Sequence, residues 1–333
     1  MTNVICCPVS GGSLCVQLGI IRDLCHSNYK YNIYMGSSGG AVSLFSLICG
    51  CGTWEGINKI VDFIDLKKYF LKNWSTIPLL PSWAFGYSKG TFFNFSPHCF
   101  NNIASMATPS MLLDNEFWIG TTNVSDSAQQ ALFCSTSKNK AILNPFSSYF
   151  STNFLNGDVQ KFSKVLVSSA CIPFVMPQVE IDIDGTQNIL IDGGIRSASP
   201  LTYLASYLPE KVHVDYVSCS DIDIPIYQTN KNNILSRGIL TTQEIVRCNS
   251  IRDHDILFEI LGRKLNRVPD IEGDVNEHIL KHLKHARKSY FKTVVEFYPD
   301  TNCELNLLKL TSNKVLHAMD NISYNYKYRL WYC

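Results

Sequence analysis

Apolar and polar positions alternate between two regimes at the start of the chain. Val4-Ile5-Cys6-Cys7-Pro8-Val9 is a short continuous apolar run, the pattern of a strand buried on both faces. Ser10-Gly11-Gly12-Ser13 interrupts it. Leu14, Leu18, Ile21 and Cys25 then recur at spacings of four, three and four, which puts them on one helical face. Tyr31 to Met35 predicts the next strand and Gly40 to Ile48 the next helix, so the chain opens as a β-α-β-α unit. Such alternation predicts an α/β fold with a mostly parallel central sheet covered by helices. Strand character returns at Glu116 to Thr121, Ala131 to Cys134 and residues 212–220. Between them, Asp184-Gly185 marks a hairpin turn between two alternating runs. From about Asn233 the pattern turns helical and more charged, including DVNEHILKHLKHARKSYFKTVVEF at 274–297. We therefore expect a core over residues 1–225 and a mainly helical C-terminal extension over 226–333, packed on that core.

Two stretches depart from this rhythm. Residues 73–113 are aromatic-rich, with prolines at 78, 81 and 97 and little charge. They read as buried loop and short helix, or as a lid or interfacial surface that docks on lipid. Tyr31 to Trp54 carries no charge and is long enough to cross a bilayer. Yet it contains Gly36, Gly39, Gly40, Gly50 and Gly52 besides four serines, so a strand, a turn and a short buried helix describe it better. No transmembrane segment is expected.

Composition narrows the class. In 333 residues, 46% are apolar and 17% charged, which suits a globular chain with a sizeable core. A formal net charge of +1 gives no reason to expect a nucleic-acid partner. Thirteen cysteines, an odd and scattered set without a Cys-x-x-Cys pair, predict reduced thiols rather than disulfides or a cysteine zinc site. Residues 1–5 run straight into a strand pattern with no secretory signal, so the expected location is cytoplasmic, with the option of peripheral membrane attachment.

The candidate chemistry lies at Gly36-Ser37-Ser38-Gly39-Gly40. A serine flanked by small residues between a strand and a helix forms a nucleophile elbow: the backbone takes a strained turn that lifts Oγ above the sheet edge. The helix N-terminus then favours negative charge at the site. Such a serine needs a base. In a Ser-Asp-His order, His213 or His254 would follow Asp192.

Three blocks together resemble the patatin-like phospholipases, acyl hydrolases that use a Ser-Asp dyad. Gly36-Ser37-Ser38-Gly39-Gly40 is similar to the family's Gly-x-Ser-x-Gly. Ser168-Ser169-Ala170-Cys171-Ile172-Pro173, with Pro177 and Glu180 after it, resembles its Ser-Ala-x-x-Pro segment. Asp192-Gly193-Gly194, followed by Pro200-Leu201, resembles the Asp-Gly-Gly that carries the base. A weaker echo is Gly86-Tyr87-Ser88-Lys89-Gly90. The resemblance implies a three-layer α/β fold and a phospholipase A-type esterase whose base is Asp192. It implies no cofactor, and an acyl lipid or phospholipid substrate met at a membrane surface. Gly36, Gly39 and Gly40 would shape the elbow, and Gly193 and Gly194 the base loop. One block departs. The family's oxyanion loop reads Gly-Gly-Gly-x-Arg/Lys-Gly, whereas this chain has Ser10-Gly11-Gly12-Ser13-Leu14-Cys15. The backbone N–H groups of Gly11, Gly12 and Ser13 would have to serve, and one missing donor costs about 10²- to 10³-fold in rate. The alternative is therefore a catalytically weak or inactive lipid-binding or scaffolding protein on the same fold.

Two further constellations are read as structural. His278, His282 and His285 share a helical face, but Lys281, Lys284, Arg287 and Lys288 crowd it, so a solvated basic face is expected rather than a metal site. The tail NYKYRLWYC mixes aromatics with Lys327 and Arg329, a composition that suits a terminal strand or packing segment as well as a membrane interface.

Overall fold

The computed structural model describes residues 1–25, 30–61, 69–72, 93–125, 129–137, 150–173, 175–219, 234–262, 271–300 and 311–333. In chain order β1 (Thr2–Cys7) leads through a 3-10 turn (Gly11–Ser13) into α1 (Leu14–Leu24), then β2 (Ile33–Ser37), α2 (Gly39–Cys49) and α3 (Trp54–Val61). A small ribbon, β3 (Phe70–Lys72) with β4 (Phe93–Phe95), is followed by α4 (Cys99–Ala104) and α5 (Pro109–Asp114). Next come β5 (Glu116–Asn123), β6 (Gln129–Cys134), β7 (Phe150–Phe154), α6 (Val159–Ser169), β8 (Val179–Ile183), β9 (Thr186–Asp192) and α7 (Leu201–Leu204). The remainder is β10 (Val212–Val217), α8 (Ile234–Leu261), β11 (Ile271–Asp274), α9 (Glu277–Ser289), β12 (Lys292–Pro299), α10 (Ser312–Ile322) and β13 (Tyr326–Tyr332).

Eleven of these strands form one sheet, ordered β11-β13-β12-β10-β1-β2-β5-β6-β7, with β9 also on β5 and β8 on β9. Its middle, β12-β10-β1-β2-β5, is parallel throughout. The apolar run of β1 is continuous because it has two faces to fill. Ile5 and Cys7 pack into a core with α1, α2, α6 and α10, while Val4 and Cys6 pack into a second core with α7 and α8. Helices thus cover both faces of a mostly parallel sheet, the α/β architecture expected from the sequence. The hairpin β8–β9 turns at Asp184 (φ 51°) and Gly185 (φ 83°), two consecutive left-handed residues that match the twist of the flanking strands.

Among the described residues the C-terminal part holds three helices and also supplies β11, β12 and β13 to the same sheet. The stretch 292–297, expected to continue a helix, is strand instead. Thr293, Val294, Val295 and Phe297 form a β-branched and aromatic run, and β10 offers a parallel partner edge from Val212 to Val217. Charged side chains fasten this part down. Arg287 of α9 bonds Asp215 of β10 at 2.5 Å, and Tyr31 donates to the other carboxylate oxygen at 2.6 Å. Buried Arg22 of α1 meets Asp320 of α10 at 2.8 Å and lies over the Trp54 ring at 4.0 Å. The lid-like stretch from Asn73 and the Gly86–Gly90 echo fall largely outside the described residues.

Candidate active site

Sheet register brings the two motifs together. On one edge of β5, Gly120 pairs with Leu132 and Thr121 with Ala131 of β6. On the opposite edge Gly120 pairs with Ser37, the last residue of β2, and Thr121 pairs with Asp192, the last residue of β9. Strand β9 therefore takes over the edge of β5 where β2 leaves it. The two strand ends meet there.

The turn after β2 is strained. Ser38 has φ 54°, ψ −132°, a conformation costly for any residue with a Cβ, and it leads straight into α2. Close backbone packing explains the glycine after it. A Cβ on Gly40 would lie closer than 3.0 Å to the carbonyl oxygens of Cys7 and Pro8, so α2 can sit this near β1 only with glycine there. Ser38 Oγ donates to Asp192 Oδ2 at 2.7 Å. Gly194 N–H donates to the other oxygen, Oδ1, at 2.7 Å. The aspartate backbone is held as well: its N–H donates to Cys171 O at 3.0 Å, and Thr122 Oγ1 donates to its carbonyl at 2.9 Å. Ser38 and Asp192 are both buried. Burial lifts the Asp192 carboxyl to about 6, against the opposing pull of the Ser38 and Gly194 hydrogen bonds. A carboxylate with that affinity is a far better proton acceptor near neutrality than an exposed one.

Ser169 escaped the sequence reading. Its hydroxyl donates to Gly120 O at 2.6 Å and accepts from Ser38 N–H at 2.8 Å, bracing the strained turn from α6. The only signal was its place in the Ser-Ser-Ala-Cys-Ile-Pro block, which by itself names no chemistry. Ser169→Ala leaves the Ser38 N–H without its buried acceptor. We expect it to slow acylation at Ser38 by about 10- to 100-fold, because small misplacements of a reacting group cost that much. A labelling time course with a fluorophosphonate measures it, and wild-type rates would show that the turn holds without this brace.

The glycine loop lies beside the elbow. Gly11 has φ 52°, and the Ser10 side chain and Gly11 backbone line the Cα of Gly39. Ser13 N–H is donated to Ser10 O at 2.9 Å and is thereby taken up within the turn. Gly11 and Gly12 open the 3-10 turn and Gly39 opens α2, positions whose N–H groups have no acceptor within their own helix. Gly193 and Gly194 are buried directly after Asp192.

The two histidines lie elsewhere. His213 stands on β10 opposite Asn3, at the far end of β1, with its ring nitrogens against Thr293 and Met1. His254 engages Glu296 at 2.8 Å. Neither contacts Ser38 or Asp192, which removes the Ser-Asp-His arrangement for these two residues. On α9, the His278 and His282 rings meet edge to face with centroids 4.2 Å apart on an exposed face. No group of three or more metal-binding side chains occurs among the described residues.

A family model described as patatin-like phospholipase matches residues 10–205. Among solved structures the chain is similar to VipD from Legionella pneumophila, at 11% identity and a TM-score of 0.37, covering 98% of this chain and 67% of that one. Comparison with curated proteins finds no match.

Proposed function

Because the chain belongs to the patatin-like phospholipase family, we propose that it is a lipid acyl hydrolase that cleaves a fatty acyl ester through Ser38 and Asp192. The observation that carries this reading is the 2.7 Å bond from Ser38 Oγ to Asp192 Oδ2 at the strained turn. Asp192 Oδ2 takes the hydroxyl proton as Oγ bonds the ester carbonyl carbon. The carbonyl oxygen becomes an oxyanion facing the N–H groups of Gly11, Gly12 and Gly39, at the positive end of α2. Collapse of this intermediate breaks the bond to the alcohol, which leaves with the proton held by Asp192, and the acyl group stays on Ser38. Water then repeats the sequence: Asp192 takes its proton, the hydroxide attacks the acyl carbon, and Ser38 Oγ leaves with the proton restored. Every step uses side chains and backbone amides, so the reaction needs no cofactor.

The substrate we propose is an acyl lipid or phospholipid presented at a membrane surface, met by a peripheral protein. No helix among the described residues is long and apolar enough to cross a membrane. No disulfide joins any of the twelve described cysteines, and burial pushes those at 25, 49 and 99 up to about 12, which fits unreactive thiols in a reducing, cytoplasm-like compartment. One observation favours the second reading, a lipid-binding protein on the same fold: the loop has spent the Ser13 N–H on Ser10, leaving one donor fewer.

Fluorophosphonate labelling of the wild type and of Ser38→Ala separates the two. We expect stoichiometric labelling of the wild type alone, with a rate that falls as pH drops through about 6, where Asp192 takes up its proton. A folded wild-type protein that resists the probe would point to lipid binding without turnover.

A further inference from the structure

Helix α8 lies beyond the residues that the family model matches, yet it reaches into the loop that carries Asp192. Asn249 Nδ2 donates to Gly194 O at 2.9 Å. Arg252 donates to Arg196 O at 3.1 Å and to Asn249 Oδ1 at 3.3 Å, so the amide must present its nitrogen to Gly194. Asp253, fully buried, accepts from the hydroxyls of Ser199 and Thr202. Ser197 in turn donates to Thr202 Oγ1 at 2.8 Å. Residues 249, 252 and 253 share one helical face, so successive parts of the loop from 194 to 202 are tied to one element. That element is itself anchored, because Leu257, Phe258 and Leu261 are buried in the second core.

We propose that Asn249 and Asp253 are positioning residues for Asp192, so that a helix outside the family-matched region sets the reactivity of the dyad. This rests on the dyad reading above. The chain of contacts is short. Asn249 holds the Gly194 carbonyl; the Gly194 N–H holds Asp192 Oδ1; and Asp192 Oδ2 faces Ser38. Releasing Gly194 weakens a backbone donor that stabilises the ionised carboxylate, and lets the carboxyl rotate away from the hydroxyl. Among the described residues the groups acting on that carboxyl are Ser38 from the elbow, Gly194 of its own loop and the Cys171 thiol beyond α6, none of them charged.

The test uses the full chain with Asn249→Ala and Asn249→Gln, the latter keeping the amide donor at a half-buried position. Two readouts are taken: fluorophosphonate labelling against pH, and titration of the Asp192 carboxyl by carbon-13 NMR, which needs no turnover. With Asn249→Ala we expect the carboxyl midpoint and the acid limb of labelling to move to higher pH, and the limiting labelling rate to fall by about 10- to 100-fold. Asn249→Gln should recover most of both. Asp253→Ala should act in the same direction, and if that variant does not fold the Asn249 pair still decides. An Asp192 midpoint unchanged by Asn249→Ala overturns the inference, whether or not the wild type is reactive. An unreactive wild type with a shifted midpoint overturns the dyad reading and leaves the positioning role supported.

Discussion

Asp192→Asn is expected to lower acyl-ester turnover by on the order of 10⁴-fold or more and, at neutral pH, to make the protein more stable. The first effect follows from removing the carboxylate that accepts from Ser38 Oγ, an amide being unable to take its proton. The second follows from burial. The carboxyl is displaced from 3.8 to about 6, so between those values the unfolded chain ionises while the folded one still holds its proton. The folded state then binds more protons, and wild-type stability falls as pH rises through that window. Above about 6 the loss is complete, and at ~1.4 kcal/mol per unit it amounts to about 3 kcal/mol. Below 3.8 both states are protonated and the loss vanishes. Asparagine fills the same space without a charge to bury, so its advantage should grow from about pH 4 to pH 6 and then level off. Urea denaturation of both proteins across that range measures it, alongside ester turnover. An Asp192→Asn protein that is less stable than wild type at neutral pH, or that still turns over ester, would mean that this carboxyl is not a desolvated base for Ser38.

Gly40→Ala carries the next largest expected effect. The added methyl would collide with the carbonyl oxygens of Cys7 and Pro8. Those atoms cannot easily retreat: Cys7 ends a β1 that is hydrogen-bonded to β10 on one side and β2 on the other, and Pro8 O accepts from Gln17 Nε2 at 2.8 Å. The helix must therefore lift, and with it the turn that aims Ser38. We expect a loss of about 3 kcal/mol or more in stability, the range of backbone overpacking in a core, and no probe labelling in whatever fraction stays folded. A thermal melt with a labelling assay checks both. A variant with wild-type melting temperature and labelling would show that α2 does not need its close seat on β1.

These two expectations draw on different kinds of information. The glycines and serine around position 38 were readable because an elbow is local: five residues carry the whole steric requirement, and the strand and helix on either side announce themselves by period. Asp184-Gly185 was legible for the same reason, as a pair that tolerates positive φ. Stretch 292–297 was misread because a short apolar run beside a charged helix has no period of its own. Only the open edge of β10 makes it a strand.

Chain order alone admitted His213 and His254 as partners of the serine. Their true neighbours are Thr293 and Glu296, which lie in another segment of the chain. Asn249 left no trace in the sequence, and Ser169 only its place in the Ser-Ser-Ala-Cys-Ile-Pro block, since a serine or asparagine acquires its role from the backbone group it happens to face. The sequence by itself determined the local turns, the helical and extended segments and the candidate residues, because these depend on sterics and side-chain period within a few positions. Tertiary structure alone decided that β9 takes the edge that β2 vacates, so that two residues 154 positions apart share a hydrogen bond. It also decided how deeply Asp192 is buried, since both strand pairing and desolvation depend on segments distant in the chain.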